Sequence, residues 1–318
     1  MTNKIQQVVS PIFYKIEQLE EDTYGYLLIA PVFVTLSVLA FYPLARTLFF
    51  SLHDDDLTGI DPVGEFVAVE NYVQLLNGDL NSILSYPFMD LQNPFSSALF
   101  LTVLITVVSV GIGTLLGLGM ALILNKEFRG RAYARTIVIL PWSVPIVIQG
   151  MMFYLLFQPS ISFFVEPLAN LGLFSANPLV SSRDSTIIVI LIDIWRKIPF
   201  IALIIMAGLA SIDRSLYDVA KVAGATKWQQ FRYITLPLVK PVLFIGMIFY
   251  TISSMKIYGI VEASAGCGTV PTLTCLVVAT FRQQRWPTAS AIAFLTALLI
   301  GAIVMLYVLR FRESMTNE

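Results

Sequence analysis

Leu216-Tyr217-Asp218-Val219-Ala220-Lys221-Val222-Ala223-Gly224-Ala225, followed by Ile234-Thr235-Leu236-Pro237, is a polar, basic stretch between two long apolar runs. It reads as two short helices joined by a turn. Asp213 or Ser215 is placed to cap the first helix. Gly224 stands where a helix C-terminus takes a left-handed residue. Thr226 and Gln229 make a capping-box pattern for the second helix. Pro237 and Pro241 are expected to stop that helix before the next apolar run.

Outside this stretch the chain is strongly apolar. It is 57% hydrophobic and only 13% charged, with a mean hydropathy of +0.77, whereas a soluble domain carries roughly a quarter charged residues. Several runs reach the ~20 residues that cross a bilayer. The fold class that follows is an all-α polytopic membrane protein with about six transmembrane helices. They are expected near residues 25–51, 95–124, 136–157, 185–209, 242–263 and 288–310. The net charge of −1 and the lack of a basic face beyond the loops point away from nucleic acid.

Residues 1–24 lack the apolar core of a signal peptide and read as a cytoplasmic tail with an amphipathic turn at Ile12-Phe13-Ile16. Residues 25–310 form the membrane domain and 311–318 a second tail. Basic residues orient the chain: Lys126, Arg129, Arg131 and Arg135 in one loop, those of the stretch 211–240, and Arg310 and Arg312 after the last span. Segment 52–94 has no Lys or Arg, and Arg183, Arg282 and Arg285 are the basic residues of the remaining loops. The positive-inside rule puts both termini in the cytoplasm and 52–94 outside, in a plasma (cytoplasmic) membrane. The acidic segment 52–94 is either a docking surface for an external partner or a solvated loop. His53 beside Asp54-Asp55-Asp56 reads as a solvated turn, because consecutive residues do not converge on a metal.

Polar residues inside the spans need an account. Gly113-xxx-Gly117 invites close approach of another helix. Pro141-Trp142-Ser143-Val144-Pro145 must kink or break the third span. Asp193, Arg196 and Lys197 are costly beside lipid, so they pair with one another or face a wet cavity. Asp193 and Lys197, four apart, make the simplest ion pair. Lys256 and Glu262 either line a cavity or pair structurally. Cys267 and Cys275 lie on the outer side, where a disulfide is permitted, though spacing alone does not establish one.

The central stretch resembles the E-A-A loop of ABC importer permeases: E-A-A, three residues, G, nine residues, I-x-L-P. Asp218-Val219-Ala220 stands for E-A-A, and Gly224, Ile234, Leu236 and Pro237 fall at the same spacing. The departures are Asp218 for Glu, Val219 for Ala, and Ala223 where an acidic residue is common. Further patches resemble the carbohydrate-uptake subfamily (maltose, trehalose and glycerol-phosphate type): Ala30-Pro31 with Tyr42-Pro43-Leu44, Val69-Glu70-Asn71-Tyr72, Arg135 with Leu140-Pro141-Trp142 and Pro145, Trp195 with Pro199-Phe200, and Ala207-Gly208-Leu209. Ser264-Ala265-Gly266-Cys267-Gly268 departs from the subfamily's T-G-G-G-P. The similarity runs from about residue 24 to 311.

The resemblance implies a type I ABC importer permease fold in which 211–240 carries a cytoplasmic coupling helix. Coupling to the ATPase falls on Asp218, Ala220, Gly224, Ala225, Ile234, Leu236 and Pro237, with Asp218 salt-bridged to the ATPase. It also implies a second homologous permease, two ATPase subunits that carry ATP-Mg, an extracytoplasmic solute-binding protein and a sugar as cargo. This chain has no G-x-x-x-x-G-K-[ST] loop, so the resemblance implies neither cofactor nor catalysis here. Sugars need aromatic faces and hydroxyl partners. Trp195, Tyr250, Ser253, Lys256, Tyr258 and Glu262 supply those types for a substrate path. The competing reading is a secondary transporter driven by an ion gradient, which calls for acidic residues deep in the spans and internal repeats. An integral membrane enzyme would need a His, Asp or Glu cluster within the spans.

Overall fold

The computed structural model describes residues 21–59, 61–90 and 92–316. The turn expected at Ile12-Phe13-Ile16 and the end of the second tail lie outside the described residues. The first span is α1 (Glu21–Leu36), a π turn (Ser37–Phe41) and α2 (Tyr42–Ser51). A short hairpin follows, β1 (His53–Asp55) with β2 (Val63–Phe66), then α3 (Glu70–Asn77). Next come α4 (Ala98–Asn125), α5 (Arg131–Ser143), α6 (Ile146–Phe157), α7 (Val165–Asn170) and α8 (Ser182–Ala210). The rest is α9 (Arg214–Val222), α10 (Lys227–Gln230), α11 (Leu236–Met255), α12 (Gly259–Ser264), α13 (Leu273–Arg282) and α14 (Trp286–Thr316).

Four stretches are long and apolar enough to span a membrane on their own: Gly25–Ser51, Ala98–Asn125, Lys227–Met255 and Trp286–Arg310. The pair α5 and α6, bent by 92°, supplies a fifth. The sixth is α8, whose 29 residues suffice in length but carry Asp193, Arg196 and Lys197. About six spans, as the sequence predicts, is therefore the architecture of this multi-pass membrane protein.

α8 is its central post, packed against α4 and α11. Within a bilayer, helices gain little by leaving lipid, so close packing must hold them together. Gly113 and Gly117 provide it. A Cβ at Gly113 would lie 2.6 Å from the Tyr250 ring, and one at Gly117 would lie 2.6 Å from the Ile201 side chain.

Two expectations are corrected. Pro237 and Pro241 do not separate the second loop helix from the next span: α10, a π turn (Phe231–Thr235) and α11 run on as one 29-residue stretch. Proline lacks an N–H and its ring clashes with the carbonyl of the preceding turn. A π turn just before Leu236-Pro237 widens that turn. The first span repeats the device, with Ser37–Phe41 preceding Tyr42-Pro43. The fifth span, expected over 242–263, instead ends at Met255, and Glu262 belongs to the separate short helix α12.

The break in the third span is sharper than a kink. α5 and α6 turn at Val144-Pro145, where the Nε2 of buried Gln149 donates to Pro141 O (2.8 Å) and Val144 O (2.7 Å). At the opposite end of the bundle, segment 52–94 is latched down. Asn71 Nδ2 donates to Ser51 O and His53 O, and Asp55 accepts from Thr288 N and Oγ1 and pairs with Arg285. His53 Nδ1 donates to Phe49 O at 2.7 Å. Cys267 and Cys275, left open by the sequence, are joined in a disulfide.

Candidate coupling helix and solute cavity

α9 is closed at both ends by its own sequence. Asp213, not Ser215, is the N-cap, accepting from Ser215 N at 2.9 Å. That backbone bond holds the exposed Asp213 carboxyl below the usual carboxylate range. The cap is therefore complete above that range and is lost as the pH falls through the lowered value. At the other end Gly224 has φ +80°. Ala225 N donates to Ala220 O (2.9 Å) and Gly224 N to Lys221 O (3.0 Å), the paired bonds of a Schellman motif. Thr226 and Gln229 complete the capping box that starts α10.

No residue of α9 is buried. Leu216, Val219 and Val222, three apart, share one face, and Val222 is 92% exposed. Tyr217 turns inward, its Oη 2.9 Å from Thr235 Oγ1. Gln230 Nε2 donates to Ala225 O. The helix is thus held from behind and presents an apolar face. The predicted coupling residues divide accordingly. Asp218 is exposed and bonded to Lys221 of its own helix at 2.9 Å. Ala220, Gly224 and Ala225 build the turn. Ile234, Leu236 and Pro237 are half-buried at the start of the fifth span. The apolar face itself was missed, although the 216, 219, 222 spacing carried it.

A second feature is a cavity of about 450 Å³ between the middle of α8 and the end of α11, lined by Arg196, Lys197, Phe200, Ser253, Lys256 and Tyr258 among others. It brings together three of the six predicted path residues: Ser253, Lys256 and Tyr258. The other three lie elsewhere. Tyr250 is fully buried, with its Oη donating to Asp193 O. Trp195 stands against Phe153. Glu262 faces Arg282 at 4.0 Å and accepts from Cys267 N. Helix azimuth explains the split, since neighbours in sequence point to different faces.

The expected Asp193–Lys197 pair is also corrected. Asp193, fully buried, pairs with Arg196 at 3.0 Å and accepts from Ser254 Oγ. Lys197 Nζ donates to Ser253 Oγ at 2.6 Å. Arg196 and Lys197 thus reach the cavity wall, the wet-cavity alternative that the sequence left open for them.

The family of the chain is shown by its likeness to known proteins. Residues 113–316 match the family of binding-protein-dependent transport system inner membrane components. This chain belongs to that family. The importer permease is 33% identical over 299 residues to the trehalose/maltose transport system permease MalF of Thermococcus litoralis, covering 92% of this chain and 96% of the relative. It is 32% identical over 252 residues to the sulfoquinovosyl glycerol transport system permease SmoG of Agrobacterium fabrum, covering 79% and 77%. Its fold is shared with a chain of a bacterial ABC transporter that imports the acidic polysaccharide alginate, with a TM-score of 0.71 and 20% identity over 95% of this chain and 99% of the other. The ion-gradient reading is set aside, for this importer permease belongs to a family of transport-system components.

Proposed function

We propose that this permease forms half of the path through which an ATP-driven, binding-protein-dependent importer takes up a sugar, and that it couples the path to a separate ATPase through α9. The carrying observation is the exposed apolar face Leu216–Val219–Val222 on a helix joined directly to two spans. An ATPase cleft that covers this face moves α8 and α11 together. A second homologous permease supplies the other half of the path, two ATPase subunits bind ATP-Mg, and an extracytoplasmic solute-binding protein delivers the cargo. The basic end, with both termini, faces the cytoplasm in this reading, and segment 52–94 faces the binding protein.

A di- or oligosaccharide, or a monosaccharide, is supported by the named relatives and by the aromatic and hydroxyl-binding groups of the cavity. Ser253, Lys256 and Tyr258 line the path, while Tyr250 and Trp195 brace the helices behind it. Val222→Asp places a charge in the apolar face. It is expected to lower uptake by on the order of tenfold or more at unchanged membrane level, and to lose the co-purifying ATPase. Full uptake by that variant would refute coupling through α9.

A further inference from the structure

A cavity larger than the candidate solute cavity lies elsewhere in the permease. It lies at the basic end, with a volume of about 630 Å³, and Lys126, Arg131, Arg135, Arg214 and Lys221 stand on its wall. Its apolar side comes from the end of α8, through Met206, Leu209 and Ile212. Polar donors come from Asn125, Tyr217 and Gln230.

No carboxylate lines it among the described residues. Glu127 approaches Arg214 at 3.5 Å and Asp218 approaches Lys221 at 2.9 Å, both in exposed pairs that screen weakly bound charge only in part. Lys126, Arg131 and Arg135 have no carboxylate partner among the described residues. Arg131 Nε and Arg135 Nη2 donate to Leu124 O, at 2.9 and 3.3 Å, a bond that a carbonyl leaves uncompensated in charge. The Nε of Arg135, buried behind the wall, has no acceptor among the described residues. Five cationic side chains on one wall, three of them without a carboxylate partner, make a site short of an anion.

We infer that this cavity binds the phosphate of an anionic phospholipid headgroup in the cytoplasmic leaflet, wedged between the α4–α5 loop and the coupling helix. The placement rests on the orientation proposed above. Lipid is favoured over a soluble phosphate because the cavity pairs a cationic rim with an apolar side at the ends of the spans. Basic pockets between spans on the cytoplasmic side suit such headgroups, and the volume suits a headgroup-sized ligand. Arg214 and Lys221 belong to α9, so an occupied site ties the position of the coupling helix to the lipid.

The test is native mass spectrometry of the full chain, with the subunits that co-purify, titrated with phosphatidylglycerol, phosphatidylcholine or inorganic phosphate. Retained phosphatidylglycerol, little phosphatidylcholine and no displacement by millimolar phosphate are expected. Lys126→Gln with Arg214→Gln, two exposed side chains that fold does not depend on, should weaken phosphatidylglycerol binding by on the order of 30-fold at low salt, roughly fivefold per charge. Arg135→Gln, read alongside for thermal stability, should weaken it as well. Equal retention of the two lipids, or unchanged binding by the double variant, overturns the site. Displacement by phosphate overturns the lipid assignment in favour of a soluble anion. Phosphatidylglycerol binding that disappears when an ATPase is bound over the rim overturns it in favour of a protein contact. Because the readout is binding, failure here leaves the coupling proposal standing, and failure of Val222→Asp to uncouple leaves this site standing.

Discussion

Gly224 and Asp193 are each tied to one conformation by different physics. At φ +80° Gly224 adopts a backbone that costs a β-branched residue about 1–2 kcal/mol. Gly224→Val is expected to unwind the Schellman bonds and abolish uptake without changing the amount of inserted protein. Gly224→Asn, which tolerates the left-handed region, should retain most uptake; transport assays on matched membranes check the pair. Asp193 is a fully buried carboxylate held by Arg196 and Ser254. Asp193→Ala leaves Arg196 without its counter-ion and should destabilise the purified permease by roughly 3–5 kcal/mol, read as a lower midpoint in thermal unfolding.

At the scale of elements, the 92° corner between α5 and α6 is secured by one side chain. Gln149→Leu strips the donors from Pro141 O and Val144 O. It should cost roughly 1–3 kcal/mol and raise hydrogen exchange at 141–149. No increase there would mean that packing alone holds the corner. The α4–α8–α11 contact depends on two absent side chains. Gly117→Leu collides with Ile201 and Gly113→Leu with Tyr250. Either should prevent α4 from seating and send the protein to degradation, whereas Gly119→Leu, with open space at its Cβ, should accumulate normally.

The molecule as a whole is a central α8 with spans around it and an end-to-end difference in chemistry. One end holds a cationic cavity and the exposed α9. The other holds the latched hairpin and the disulfide. The first span stands apart: no residue of its apolar window is buried, leaving it free to face lipid or a partner subunit. The disulfide should show as a mass about 2 Da below that of the reduced chain and as two thiols that alkylate only after reduction. Alkylation without reduction would remove the bridge from this description.

The sequence by itself determined the class, the number of spans, the capped loop helix and the place of the helix break. Those depend on composition and on neighbours in the chain: apolar length, a cap at Asp213 or Ser215 and another at Thr226, the left-handed Gly224, the prolines at 141 and 145. It misjudged Pro237, because whether a proline ends a helix or sits above a π turn depends on what packs around it. It could not tell that Tyr250 is buried while Ser253 faces a cavity, or that Lys197 meets Ser253 rather than Asp193. Those outcomes join residues more than fifty positions apart. They follow from the rotation of each helix about its axis, which is settled by how close two glycines let α4 approach Tyr250 and Ile201. Only the tertiary structure decides that rotation, and with it which charged groups are paired and which are left facing a cavity.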